Sequence, residues 1–303
     1  MNKHKIQGPV IPIPVPFNND SSIDFKSLED YIDFLSQFNL GGLMTTAGTT
    51  SFNLLSREEI FVVNESVCRA AKGRVPIIVG NPSYGDINST IEFASHSKKI
   101  GADYCIVYYP DRHYGDESIY DFFSIISKSV SQPLLIHEMP MRNGLGKGSV
   151  HYSIELLEKL FKLDMIRGIK EEALDPDYSN KIVKTFSSEV EIIGAGGGMS
   201  RFLSRDYDLG SKAFLGGIGN FNPQLEIEFY SLIMKNKVED AKSLVETKEL
   251  PLFDTVIPFG WHPSLKAMLS IKGFMKNINR KPMITLNDLN TGIIRTSMKS
   301  LKI

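Results

Sequence analysis

The chain has 303 residues, 42% of them hydrophobic, and sets 34 basic against 35 acidic side chains for a net charge of −1. That balance, with no run of more than two basic residues, supplies no field for nucleic acid or an anionic membrane, and no window approaches the run of about 18 apolar residues that marks a spanning helix. Cys68 and Cys105 lie in apolar surroundings and read as two reduced thiols, while Met1-Asn2-Lys3-His4-Lys5 leads into a proline-punctuated strand rather than a leader's apolar core, so a soluble cytoplasmic protein is expected.

In chain order, strand-length apolar runs fall at 9–15, 42–46, 75–79, 103–109, 133–137, 165–170, 190–194 and 212–216. Helical periodicity fills the gaps: Phe25 to Phe38, Ser56 to Ala71, Ile87 to Ile100, and Ser153 to Phe161, where Ser153 is a candidate N-cap ahead of Leu156, Leu157 and Leu160. Repeated alternation of strand and helix predicts a (β/α)8 TIM barrel with a C-terminal helical extension, a doubly wound sheet being the competing arrangement. The barrel core is assigned to 1–221. Residues 222–303 form a closing helix and extension of the same domain, with extra helices expected over Val238 to Thr247, Pro263 to Met275 and Leu286 to Leu301.

Barrel chemistry sits where strands end, which directs attention to the residue after each run. The sixth run, Met165 to Ile169, ends at Lys170, followed by Glu171 and Glu172. A lysine in a partly dry pocket loses ammonium hydration, its pKa falls, and its free amine becomes a nucleophile for carbonyl carbon. The fifth run ends at His137-Glu138 and continues through Arg142 to Gly144; adjacent strands lie about 4.8 Å apart, so His137 is expected within reach of a substrate tethered to Lys170. After the second run, Thr45 to Ser51 is a hydroxyl-rich turn suited to a small carboxylate, and after the fourth stand Tyr108 and Tyr109, for which one core and one exposed ring would be the purely structural alternative. The glycine run Gly194 to Gly198 does not complete a dinucleotide fingerprint; with Leu215, Gly216 and Gly217 it is expected to line the pocket at the strand ends. The six histidines show no metal-ligand spacing, so no metal is expected, and Gly260-Trp261-His262 reads as a packing and cap element.

Gly-Thr-Thr after the second strand, Tyr-Tyr after the fourth, Pro-x-Arg-x-Gly after the fifth and Gly-Ile-Lys-Glu in the sixth resemble the dihydrodipicolinate synthase / N-acetylneuraminate lyase family of class I pyruvate-type aldolases, and the likeness extends from Pro16-Phe17 to Pro263-Ser264-Leu265-Lys266. The resemblance implies a covalent imine on Lys170 with no separate cofactor, and a small-molecule 2-oxo acid as substrate. It implies that Thr49 or Thr50 contacts the substrate carboxylate and relays a proton, with Gly48 in the same turn, and that Tyr109 reaches a neighbouring subunit's site in a homotetramer, a dimer of dimers. His137 stands where the family has a catalytic tyrosine and Glu138 where it has an asparagine. The turn's register is open by one residue, Gly48-Thr49 or Thr49-Thr50.

The expected activity is that of a Schiff-base lyase, aldolase or dehydratase for pyruvate or a 3-deoxy-2-oxo sugar acid, with His137, Tyr109 and a threonine moving protons. Glu138, Gly194 and Leu215 join the binding residues, and Arg142 is expected to hold a distal carboxylate. The alternatives are dihydrodipicolinate synthase, which condenses pyruvate with aspartate semialdehyde, and a keto-acid-binding barrel without turnover.

Overall fold

A computed structural model describes residues 5–81, 86–110, 112–138, 150–173 and 175–303, together with the main chain of 141–142 and 149. Asn143 and Gly144 lie outside the described residues, as does the side chain of Arg142, which sits on a two-residue strand paired antiparallel with Ser149–Val150.

Eight parallel strands close on themselves: β1 (Gly8–Pro12), β2 (Gly42–Thr45), β3 (Ile77–Gly80), β4 (Tyr104–Val107), β5 (Leu134–Glu138), β6 (Ile166–Glu171), β7 (Glu191–Gly194) and β8 (Ala213–Leu215). Each pairs with its neighbours in sequence, and β8 returns to β1 through Gly8↔Ala213. This is the barrel expected from the alternation. Both sheet faces are buried, and residues two apart share a face. Val10, Met44, Ile78, Ile106, Leu135, Ile193 and Ala213 fill the interior, while the opposite face of each strand meets the helices.

Helices α1 (Phe25–Leu35), α2 (Arg57–Ala71), α3 (Ile87–Lys99), α4 (Asp116–Ser129), α5 (Ile154–Leu160), α6 (Pro176–Phe186), α7 (Gly198–Arg201) and α8 (Pro223–Met234) ring the barrel. Their starts follow local capping chemistry. The Ser56 hydroxyl accepts from the Glu59 amide at 3.2 Å while Glu59 accepts from the Ser56 amide at 2.8 Å, and Ser153 caps α5 at the Leu156 amide.

The extension holds α9 (Val238–Leu244), α10 (Leu250–Val256), α11 (Trp261–Ile271) and α12 (Asp288–Leu301). Between α9 and α10 the chain makes a π turn, Val245–Glu249, and remains helical beyond the end expected at Thr247. The wide turn carries the helix past Pro251, a residue that supplies no amide to the ladder. Helix α10 and the start of α11 therefore reach the mouth of the barrel.

Candidate active site

Alternation sorts the ends of β5 and β6 onto two faces. His137 and Lys170 are paired residues in the β5–β6 register, and both point inward. Glu172, two residues beyond Lys170, shares its face. Lys170 is only 2% exposed; its Nζ lies 2.8 Å from His137 Nε2 and contacts Glu172 Oε2, and that same oxygen is 2.8 Å from His137 Nε2.

Burial lowers the Lys170 pKa below its ordinary value, although the Glu172 carboxylate pulls it the other way. Burial, reinforced by the Lys170 charge, pushes His137 down to about 4, so the imidazole is neutral at neutral pH. Burial also disfavours charge on Glu172, but Lys170 and His137 together hold its carboxyl well below the usual carboxylate range. The result is an ammonium–carboxylate pair with a neutral imidazole lodged against both. Among the described residues the buried His137 Nδ1 has no partner. Tyr108 lies edge-on to the imidazole at 4.7 Å between centroids, and its buried hydroxyl likewise has no partner among the described residues.

Lys170 and Glu172 form the floor of a cavity of about 320 Å³. Gly48 and Thr49 border it, whereas the Thr50 hydroxyl turns away and donates to the Ile13 carbonyl at 2.6 Å. The structure thus puts Gly48 and Thr49, not the Thr49-Thr50 pair, at the cavity. Just before them Thr46 has a left-handed φ of 51°, costly for a β-branched residue. Its hydroxyl lies 2.9 Å from Asn64 Oδ1 and 2.7 Å from the Gly80 carbonyl, with one proton to donate between them, and accepts from the Gly80 amide at 3.1 Å. These bonds hold the turn in its strained form.

Leu215 also borders the cavity, together with Gly196, Gly197 and Gly198 and with Gly216 and Gly217. Two buried carboxylates prop these turns from behind. Glu226 accepts from the Gly217 amide at 2.8 Å, and burial pushes it up to about 8. Glu249 accepts from the Met199 amide at 2.8 Å and the Ser200 amide at 2.6 Å, and burial pushes it up to about 7. The far wall is Phe253, Ile257, Trp261 and His262. Gly260-Trp261-His262, read from sequence as packing, therefore also faces the site.

Several expected residues lie elsewhere. Glu138, next to His137, falls on the opposite face of β5 and meets His151 Nδ1 at 2.7 Å and the Tyr178 hydroxyl at 3.1 Å. A Cβ on Gly194 would come 2.0 Å from Asp206 Oδ2, so Gly194 faces a buried cluster in which Arg201 contacts the Glu171 and Asp206 carboxylates. Both Tyr108 and Tyr109 are buried; Tyr109 packs edge-on against Phe122, 5.2 Å away, and does not border its own chain's cavity. Sequence reasoning left out Glu172 and Tyr108 as site groups. The period of two marks both, from Lys170 to Glu172 and from Ile106 to Tyr108. Among the described residues no cluster of three or more His, Cys, Asp or Glu is placed to hold a metal ion.

Comparison with known proteins agrees with this geometry. A model of the dihydrodipicolinate synthetase family matches residues 5–300. An uncharacterised DapA-like lyase of Thermococcus kodakarensis is 26% identical over 290 residues, 91% of this chain and 93% of that protein. A 4-hydroxy-tetrahydrodipicolinate synthase of Archaeoglobus fulgidus is 26% identical over 300 residues, covering 97% and 98%. The crystal structure of N-acetylneuraminate lyase from Fusobacterium nucleatum superposes with a TM-score of 0.86 at 22% identity, covering 98% of this chain and 99% of that one, a likeness of fold. With a lysine, an imidazole and a carboxylate converging at the ends of β5 and β6, and a family match spanning nearly all of its length, the chain belongs to the dihydrodipicolinate synthetase family and is an enzyme of the lyase, class I aldolase type.

Proposed function

We infer that the protein binds a 2-oxo acid of the pyruvate type as an imine on Lys170 and makes or breaks a carbon–carbon or carbon–oxygen bond beside it. The observation that carries this reading is the buried Lys170 amine in contact with both Glu172 and His137. Glu172 takes the ammonium proton, and the free amine attacks the keto carbon. The carbinolamine oxygen leaves as water, and the protonated imine draws electrons from C3. A proton is then exchanged at C3 by Glu172, which lines the cavity, with His137 behind it in contact with both Glu172 and Lys170. Thr49 and the turn around it suit the substrate carboxylate.

The synthase reading rests on the Archaeoglobus fulgidus relative, and the imidazole in place of the family's phenol weighs against it. A barrel without turnover is disfavoured because nucleophile and proton carriers remain in contact. Cytoplasmic residence and a homotetramer belong to the same proposal, supported by two free thiols and by the family resemblance; light scattering at assay concentration tests the assembly.

Borohydride added with pyruvate is expected to fix the imine as a stable secondary amine on Lys170, located by peptide mass spectrometry and lost in Lys170→Ala. Labelling of a different lysine, or turnover without any labelling, rules the imine out.

A further inference from the structure

The cavity above Lys170 has a polar floor and an apolar far wall. Phe253, Ile257 and Trp261 make up the apolar part of that wall, with Leu215 beside them and His262 its one ionisable side chain among the described residues. The indole is firmly seated: Phe253 meets it edge-on at 5.5 Å between centroids, and a Cβ on Gly217 would come 2.9 Å from its ring. Only a glycine at 217 lets the indole lie against the β8 turn.

The polar inventory is short. Of the side chains lining the cavity among the described residues, Thr49, Glu172, Lys170 and His262 carry polar atoms, and Trp261 adds a single indole N–H on an otherwise apolar ring. Lys170 and Glu172 engage each other, Thr49 faces the substrate carboxylate in the proposed reaction, and burial keeps His262 below its ordinary pKa and so neutral. The turns from β7 and β8 offer glycines, which have no side chain to read a hydroxyl. Against Phe253, Ile257 and the face of the Trp261 ring a polyhydroxylated tail would lose water at more hydroxyls than the indole N–H and the His262 imidazole can pair, each at a cost. Among the described residues a carboxylate would meet no guanidinium or ammonium on it.

We propose, on the basis of the imine reading above, that the second half of the substrate is an apolar, ring-bearing aldehyde which packs on Phe253, Ile257 and Trp261. In the synthetic direction C3 of the Lys170 enamine forms a bond to the aldehyde carbon. The carbonyl π pair moves to oxygen, which takes the proton that Glu172 or His137 removed from C3. Water then hydrolyses the imine, releasing a 4-hydroxy-2-oxo acid and free Lys170.

The test pairs pyruvate with benzaldehyde, glyceraldehyde or succinic semialdehyde, using the parent enzyme, Trp261→Ala and Trp261→Phe, with borohydride trapping of pyruvate and light scattering run on each. Benzaldehyde is expected to give a kcat/KM about tenfold or more above the other two, as the burial of an aromatic face implies. Trp261→Ala should remove about tenfold of that advantage while Lys170 still traps pyruvate, and Trp261→Phe should keep most of it. The proposal is overturned if glyceraldehyde or succinic semialdehyde is the better substrate, or if benzaldehyde is not turned over by an enzyme that traps pyruvate; in both cases the imine reading stands. Equal losses for all three aldehydes in Trp261→Ala, or a change in its assembly state, make the wall structural and also overturn it. Failure of the parent to trap pyruvate removes the imine reading and this proposal together.

Discussion

Glu172 has two opposed effects on the lysine it touches. Its charge stabilises the Lys170 ammonium and so delays formation of the nucleophilic amine, yet its basicity is what moves protons once the imine exists. Glu172→Gln separates the two. With the carboxylate gone the Lys170 pKa falls further, so the pH midpoint for borohydride trapping should move to lower pH, while turnover drops by about 10²–10⁴-fold as expected for a lost acid–base group. A midpoint moving upward would assign Glu172 a different role. His137, pushed to about 4, should contribute no limb near neutrality to the kcat/KM profile of the free enzyme, so His137→Gln should lower the rate without reshaping that region. Lys170 and His137 were legible in the sequence because each ends an apolar run. Glu138 was placed at the substrate because it adjoins His137, but in a strand the adjacent residue is the one on the other face. Glu172, two residues from Lys170, satisfies the alternation that Glu138 violates.

At the scale of elements, the turns that line the site are held by groups on the outer face of the barrel. Arg201 on α7 contacts Glu171, lies 3.0 Å from Asp206, and donates to the carbonyls of Glu171 and Ala195. It thereby locks the end of β6 to the β7 turn. Arg201→Met would leave two carboxylates facing each other in the interior, and a loss of about 3–5 kcal/mol in urea unfolding is expected. A loss under about 1 kcal/mol would mean that water reaches the cluster and replaces the guanidinium. Strands and barrel helices were readable from period and caps, since neighbouring residues decide both. The course of the chain from α9 to α10 was not. Pro251 signals an end to a helix, and only the π turn ahead of it, set by packing on the barrel, allows helix to continue and deliver Phe253 and Ile257 to the cavity.

For the molecule as a whole, buried ionisable groups make stability depend on pH around neutrality. Glu226 has a folded pKa of about 8 against an ordinary 4.5, so the folded state holds its proton longer than the unfolded chain. Its contribution is full below about 4.5 and is lost as pH rises through about 8. Lys266, buried beside the Val15 carbonyl and the Phe17 ring, is pushed down to about 7 by burial; there the unfolded chain binds the extra proton, and stability rises with pH from about 7 towards 10.5. Glu226→Gln keeps the neutral form at every pH, so relative to the parent it should gain stability at pH 9 over pH 5 in thermal unfolding. An offset equal at both pH values would place the Glu226 pKa near its ordinary value. The protein also carries its own optical probe. Trp261 is its single tryptophan and stands on the cavity wall, so intrinsic emission excited at the red edge of tyrosine absorption arises at the mouth of the active site alone. Occupancy, solvent entry and the order of substrate addition can be followed there by quenching and spectral shift, in the unlabelled parent enzyme and with no background from a second indole.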